Sequence, residues 1–345
     1  MIITTMTVLA LSASAQSWPV AGPEAKAGAR WWWMGSAVNE TDLRWNMQQY
    51  AKTGIGSLEI TPLYGVQGNQ AHELSFLSTP WMKALQFTEA EAQRDSILID
   101  MNNGTGWPFG GPLVPIDQAA AKLVVTEADI SGKDLRRQGA DIRVTDEKER
   151  PYAILSRVMA YTGDGKAINL TDMTDPTGFV RWDKADKHLQ YHVIAAYCSR
   201  TRQMVKRAAP GGEGYVIDHF DRTAVTDYLQ RFTDAFAKTG TPYPHNFFND
   251  SYEVYGANWT PTLFEEFRKR RGYALEDHLP QLLGEQPDSA SQVLIDYRET
   301  LSDLLLHNFT HTWADWAHQH QVQVRNQAHG SPANLIDVYA AVDVP

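Results

Sequence analysis

The chain has 345 residues, 43% of them hydrophobic and 21% charged, with a formal net charge of −10. That composition fits a globular fold with a real core and excludes a disordered or fibrous chain. The acidic balance argues against nucleic acid or an anionic membrane surface as partner, since both want a basic face, and no apolar run is long enough to span a bilayer.

In chain order, the first feature is a leader-like stretch. An apolar run, Val8 to Leu11, leads to Ala13-Ser14-Ala15, a small-residue cleavage pattern without the usual basic residue near the start. Residues 1–15 are therefore expected to be a signal peptide, and the protein secreted or periplasmic. Arg30-Trp31-Trp32-Trp33-Met34 then reads as a buried strand. A helix capped by Asn39 or Thr41 follows, with Leu43, Met47, Tyr50 and Ala51 on one face and Gly54 as its stop. Ile55 to Ile60 is a short apolar strand ending at Glu59-Ile60-Thr61-Pro62. Thr79 and Pro80 open a helix carrying Trp81, Leu85 and Ala92. Ile97 to Met101 is the next strand, running into Asn102-Asn103-Gly104-Thr105-Gly106-Trp107. Strand, helix, strand, helix, strand is the pattern of a parallel α/β sheet.

The rhythm breaks between residues 124 and 214, where short alternating segments such as Ala153 to Tyr161 predict an inserted β-rich module. The lone cysteine, Cys198, lies in an apolar stretch of it. One cysteine permits no internal disulfide and no CxxC site, so a buried, inert thiol is expected. The α/β pattern resumes with a helix over 221–237, a strand at Phe247-Phe248, a helix from Thr260 to Gly272, a long helix from Ser289 to His320, and a strand at Val322 to Val324. No Gly-rich dinucleotide or phosphate loop follows any strand. The predicted fold is α/β: a partial (β/α)8 barrel, residues 16–123 and 215–345, interrupted by the 124–214 insertion and truncated before the barrel closes.

Reactive groups of such a barrel gather at the C-terminal ends of its strands. Those ends offer Glu59, Asp100, Asn102, Asn103, Asn249, Asp250, Glu253, Arg325, Gln327 and His329, with Trp107 and Trp259 nearby. Amides, carboxylates and aromatic rings suit a polyhydroxyl ligand, although strand-end polar residues also cap helices and tryptophans also build cores. Glu253 stands among Tyr252, Tyr255 and Trp259. A carboxyl that loses water there is expected to have a raised pKa and to donate a proton. No HExxH or comparable metal spacing involves the histidines, and no G-x-S-x-G elbow is present.

Three blocks carry a resemblance. Asn249-Asp250-Ser251-Tyr252-Glu253-Val254, with Asn258-Trp259-Thr260-Pro261 and Phe267 to Tyr273, is similar to the signature of the α-L-rhamnosidases built on a (β/α)8 barrel with inserted β domains. Arg325-Asn326-Gln327-Ala328-His329-Gly330 and Asn102 to Trp107 with Gly110-Gly111-Pro112 resemble two further blocks. The resemblance implies an inverting hydrolase that removes terminal α-L-rhamnose from plant glycans, usually with bound calcium. It implies Glu253 as general acid. Asn103, Trp107, Asn249, Asp250, Trp259, Gln327 and His329 are the expected substrate contacts. It assigns no calcium ligands by position. The stretch where the family carries its general base is expected beyond Val342-Asp343-Val344-Pro345, with Asp343 the substitute by default, so little hydrolysis is expected of these 345 residues alone. A sugar-binding protein without catalysis, or a same-fold glycosidase acting on another sugar, are the alternatives.

Overall fold

The computed structural model describes residues 19–284 and 287–345; the leader expected over residues 1–15 lies outside them. Five parallel strands form one sheet: β1 (Gly28–Met34), β2 (Ser57–Leu63), β3 (Leu98–Asn102), β4 (Asn246–Asn249) and β5 (Gln323–Asn326). Their spatial order follows the chain order, β1-β2-β3-β4-β5. Among the described residues β1 and β5 stand at open edges. A single parallel bridge joins Arg325 to Val344, on the far side of β5.

Side chains alternate across a strand, and the two faces of this sheet differ. One face carries Trp31, Trp33, Leu58, Ile60, Ile99, Met101, Phe247 and Val324, all buried. It packs on α1 (Glu40–Lys52), α2 (Thr79–Asp95), α3 (Arg222–Thr239) and further C-terminal helices. These helices present the apolar stripes expected of them: Leu43 and Met47 on α1, Trp81, Leu85 and Ala92 on α2, and Val225, Leu229, Phe232 and Phe236 on α3. Fully burying one such side chain contributes about 1.5–3 kcal/mol. The helix starts are capped by side chains, at Asn39 as expected but at Ser78 in place of the expected Thr79. Asn39 accepts from the Asp42 amide, Asp221 from the Thr223 amide, and Ser78, one residue before the predicted Thr79, from the Trp81 amide.

The other face is polar. Arg30, Glu59, Asp100 and Asn246 stand side by side in register. Arg30 bonds to Glu59 at 2.9 Å, and Arg325 also reaches Glu59. Asn246 donates to Asp100 at 3.0 Å. The guanidinium groups of Arg30 and Arg325 both lie over the Phe248 ring, at 5.1 and 4.4 Å. Glu59 and Asp100 are thus mid-strand residues, not strand ends. The strand expected over Ile55 to Ile60 spans Ser57–Leu63. The strand continues to Leu63 because beyond Ile60 it pairs only with β1, and a proline without an N–H is tolerated on such an unpaired flank.

Between β3 and β4 lies an antiparallel sheet whose strands span Ala121–Ser131, Gln190–Arg200, Ile154–Thr162 and Ala167–Asn169, in that spatial order. It has its own core around Leu135, Val158, Val193 and Ala195. Cys198 is buried within the larger core, and burial pushes its thiol up to about 11. The long C-terminal helix differs from expectation. It runs as Pro287–Leu304, a π-helical stretch Leu305–Thr310, and His311–Gln319. The π-helical stretch accompanies stacking of Phe309 on Trp313, rings 6.1 Å apart. No helix among the described residues is long and apolar enough to cross a membrane.

Candidate active site

The loops leaving the C-terminal ends of β2, β3, β4 and β5 meet on one rim of the parallel sheet. After β4, Asn249 donates its side-chain amide to Asn326 at 2.9 Å and Asp250 accepts from Arg30 at 3.1 Å. The Asn249 carbonyl accepts from the Gln327 amide, and Tyr252 donates its amide to the His329 carbonyl at 2.8 Å. These bonds lace the loops after β4 and β5 together and aim the next residue, Glu253, off the rim.

Glu253 is held from four directions. Its Oε2 lies 2.7 Å from Lys206 Nζ. The Tyr255 hydroxyl donates to the same oxygen at 3.2 Å, and Ser251 Oγ donates to Oε1 at 3.3 Å. Gln203 fixes the backbone, donating to the Glu253 carbonyl at 2.7 Å and accepting from the Tyr255 amide at 2.8 Å. Lys206 also bonds the Tyr255 oxygen at 3.0 Å and sits 4.5 Å above its ring. The Glu253 side chain is 35% exposed, so it is neither buried nor loose in bulk solvent.

This arrangement corrects the expected electrostatics. A raised pKa was predicted from aromatic neighbours. Instead the Lys206 ammonium, with help from Tyr255 and Ser251, holds the carboxyl below the usual glutamate range. The physical reason is a charge-assisted bond outweighing a desolvation that partial exposure keeps modest. Tyr255 is mostly in solvent, at 62%, and does not wall the carboxyl off.

Beside it, the loop after β3 is pressed against the segment carrying Lys206. Trp107 and Lys206 exchange backbone bonds at 3.2 and 2.8 Å. Asn102 pins the turn by donating to the Gly106 carbonyl. Gly106, at φ +58, is required there, because a Cβ would fall 1.9 Å from the Lys206 carbonyl oxygen. The Trp107 ring is half-buried, with the Arg207 guanidinium 5.7 Å from its centre.

Two of the expected substrate contacts lie inside the core. Trp259 is fully buried and packs against Phe264 and Tyr297. No face of it is left for a sugar, because its neighbours close over the indole to build the core. Asn103 is also fully buried, and its Oδ1 accepts from the Trp313 indole at 2.8 Å; its job is to tie the β3 loop to the last long helix. Asn249 and Asp250 are buried and committed to Asn326 and Arg30. Gln327 and His329 are exposed at the rim. Asp343 does not stand across from Glu253. It bonds His318 at 2.9 Å and the Val324 amide at 2.8 Å, near the start of β5 and so toward the opposite end of the sheet.

The histidines join no metal-holding cluster among the described residues. His219 is buried against Phe109, Tyr252 and Phe309, and burial pulls its pKa down to about 3. Its neighbour Asp218, buried and accepting from Thr260, is pushed up to about 7 by the same loss of water. His245 lies on the polar face near Asp100, which raises its pKa. No three His, Cys, Asp or Glu side chains among the described residues are grouped to hold a metal ion. Among the described residues no carboxylate cage stands ready for the calcium that the resemblance implies.

Comparison with known proteins follows the same lines. A family model described as alpha-L-rhamnosidase matches residues 20–140 and 160–345. The chain belongs to the alpha-L-rhamnosidase family of glycoside hydrolases. The unmatched stretch falls inside the antiparallel insertion. A curated protein of Formosa agariphila, whose name of beta-glucuronidase is provisional, is 24% identical over 364 aligned positions, covering 93% of this chain and 31% of that protein. The solved rhamnosidase of Novosphingobium sp. PP1Y superimposes with a TM-score of 0.74 at 18% identity, over 94% of this chain and 48% of that one. The chain therefore spans about a third of the curated relative and about half of the solved one. The structural likeness is one of fold.

The rim also gathers side chains that carry no local signal in the sequence. Sequence reasoning missed Lys206, Gln203 and Arg30 there. Lys206 is 47 residues from Glu253 and Arg30 is 220 residues from Asp250, so neither pairing has a local signal. A basic pair, Lys206-Arg207, ahead of the turn-forming Pro210-Gly211-Gly212 was the one trace in the sequence.

Proposed function

We propose that this chain carries the catalytic-acid half of an inverting glycosidase that removes terminal α-L-rhamnose from glycans, with Glu253 as the acid. The observation that carries the reading is the placement of Glu253: on the C-terminal rim of a parallel sheet, half-exposed, and oriented by four side chains. That is the rim on which barrel enzymes hold their reactive groups. The strand order supports the barrel. Five parallel strands in strict chain order, with the Arg325–Val344 bridge at the next position, suit a singly wound (β/α)8 barrel. A doubly wound sheet would reverse order at a switch point. The charged face of the sheet would then be the barrel's interior. Secretion, suggested by residues 1–15, suits a glycan substrate.

Mechanistically, the acid must protonate the leaving oxygen while a second carboxylate, about 6.5–9.5 Å away, activates water. Lys206 holds Glu253 further in its ionised form, so a bound saccharide must weaken that contact before a proton can sit on Oε2. Asp343 is committed at the other end of the sheet, and we propose that the 345-residue chain turns over slowly for want of a base. Azide, a nucleophile that needs no base, should restore turnover. With phenyl α-L-rhamnoside, proton NMR should show β-L-rhamnosyl azide and phenol, the proton to the phenoxide coming from Glu253. Glu253→Gln should reduce this by about 10²–10⁴-fold while sugar binding persists. Azide-dependent turnover that survives Glu253→Gln would contradict the assignment. Sugar binding with no turnover in any condition would favour a binding protein, a reading to which the Lys206–Glu253 pair lends weight. The name of the Formosa agariphila relative favours including a phenyl β-D-glucuronide arm.

A further inference from the structure

Arg207 follows Lys206 on the rim and has no ion-pair partner among the described residues. The other cations there are neutralised: Lys206 by Glu253, Arg30 by Glu59 and Asp250, Arg325 by Glu59. Its guanidinium lies 5.6 Å from the ring of Tyr64, which follows β2, and 5.7 Å from that of Trp107, which follows β3. Its Nη1 donates to the Tyr64 hydroxyl at 3.3 Å.

The backbone is held as firmly as the side chain. Arg207 has φ +59, unusual for a residue with a side chain. It is kept there because its carbonyl accepts from the Tyr64 amide at 3.1 Å and Lys206 is bonded to Trp107 on both its backbone groups. Gly106 makes that approach possible. A guanidinium has five N–H donors in one plane. Cation–π contacts to two rings and the single bond to Tyr64 leave in-plane donors open at the edge. A planar, bidentate acceptor is what fits such an edge. The group is pre-oriented, which lowers the entropy lost on binding.

We propose that Arg207, set beside Tyr64 and Trp107, forms a subsite for the carboxylate of a uronic acid, so that the glycan taken at this rim is an acidic one. The inference rests on the glycosidase reading of the rim. Arg207 adjoins Lys206, whose ammonium touches Glu253. The loops after β2 and β3 stand one to two strand spacings from the loop after β4, about 5 Å each. A sugar at Glu253 thus places its neighbouring residue against Arg207.

The test is calorimetry on the 345-residue chain with a rhamnosyl-glucuronate disaccharide and with its methyl ester, which keeps the shape and removes the charge. The free acid should bind at least tenfold more tightly than the ester, and the preference should shrink as salt is raised. Arg207→Met should abolish the preference without changing ester affinity, and Arg207→Lys should keep part of it. Equal binding of acid and ester by the unaltered chain, or a preference that survives Arg207→Met, overturns the subsite and leaves the rim reading intact. Failure of the folded chain to bind either sugar overturns both.

Discussion

Lys206 stabilises the ionised form of Glu253, and the consequence is measurable. The carboxyl is held below its ordinary 4.5. A carboxylate depressed in the folded state adds stability at pH values above its unfolded pKa, and that stability is lost as pH falls through the folded value. Exposure screens the pair, so the effect on unfolding is small, and the titration itself is the better readout. In Lys206→Met, carbon-13 NMR of labelled glutamate should show the Glu253 midpoint moving up, and Lys206→Arg should restore the depressed value. A midpoint unmoved by Lys206→Met would mean that Tyr255 and Ser251 set the charge instead. The sequence showed Glu253 but not this chemistry. Its aromatic neighbours in sequence suggested a shielded group, whereas the cation that pairs with it comes from 47 residues upstream. Trp259 and Asn103 mislead for the converse reason. Their sequence position beside the rim is real, but their side chains turn into the core, and sequence spacing does not report that choice.

At the level of elements, the strands and helices of the parallel layer were legible because each local signal agreed with its packing. Alternation on the strands and 3.6-residue stripes on the helices both follow from one buried face. The misreadings have specific causes. The strand β2 runs past its expected end at Ile60 through Pro62, which sits where β3 has parted and needs no N–H, its carbonyl being bonded by the Gly106 amide. The Ser289–His320 pattern reads as one helix because its stripe continues through the π-helical stretch, whose wider turn leaves no mark in composition. The joint that matters most for the site is the turn at Gly106. Gly106→Ala combines an unfavourable positive φ with a 1.9 Å approach to the Lys206 carbonyl, so the Trp107–Lys206 bonds must open. Urea unfolding should show a loss of more than about 1 kcal/mol. The same variant should lose the Glu253 pKa depression, because Lys206 rides on that segment. Unchanged stability together with an unchanged titration would show that the loop relaxes without disturbing the rim.

For the molecule as a whole, one sheet serves two purposes. Its apolar face supports the helical layer. Its polar face, with Arg30, Glu59, Asp100 and Arg325 interlocked around Phe248, stiffens the strands whose ends carry the rim. The antiparallel insertion leaves after β3 and returns before β4, and the segment that follows its last strand delivers Gln203, Lys206 and Arg207 to the rim. An interruption that appeared in the sequence only as a break in rhythm therefore supplies half of the groups around Glu253. The most direct test of the central claim is a crystal structure of the Glu253→Gln chain with phenyl α-L-rhamnoside. The glycosidic oxygen should lie within hydrogen-bond distance of the residue 253 side chain, on the rim beside Tyr255 and Trp107. A rhamnoside bound elsewhere, with that side chain still turned to Lys206 and away from the sugar, would contradict it.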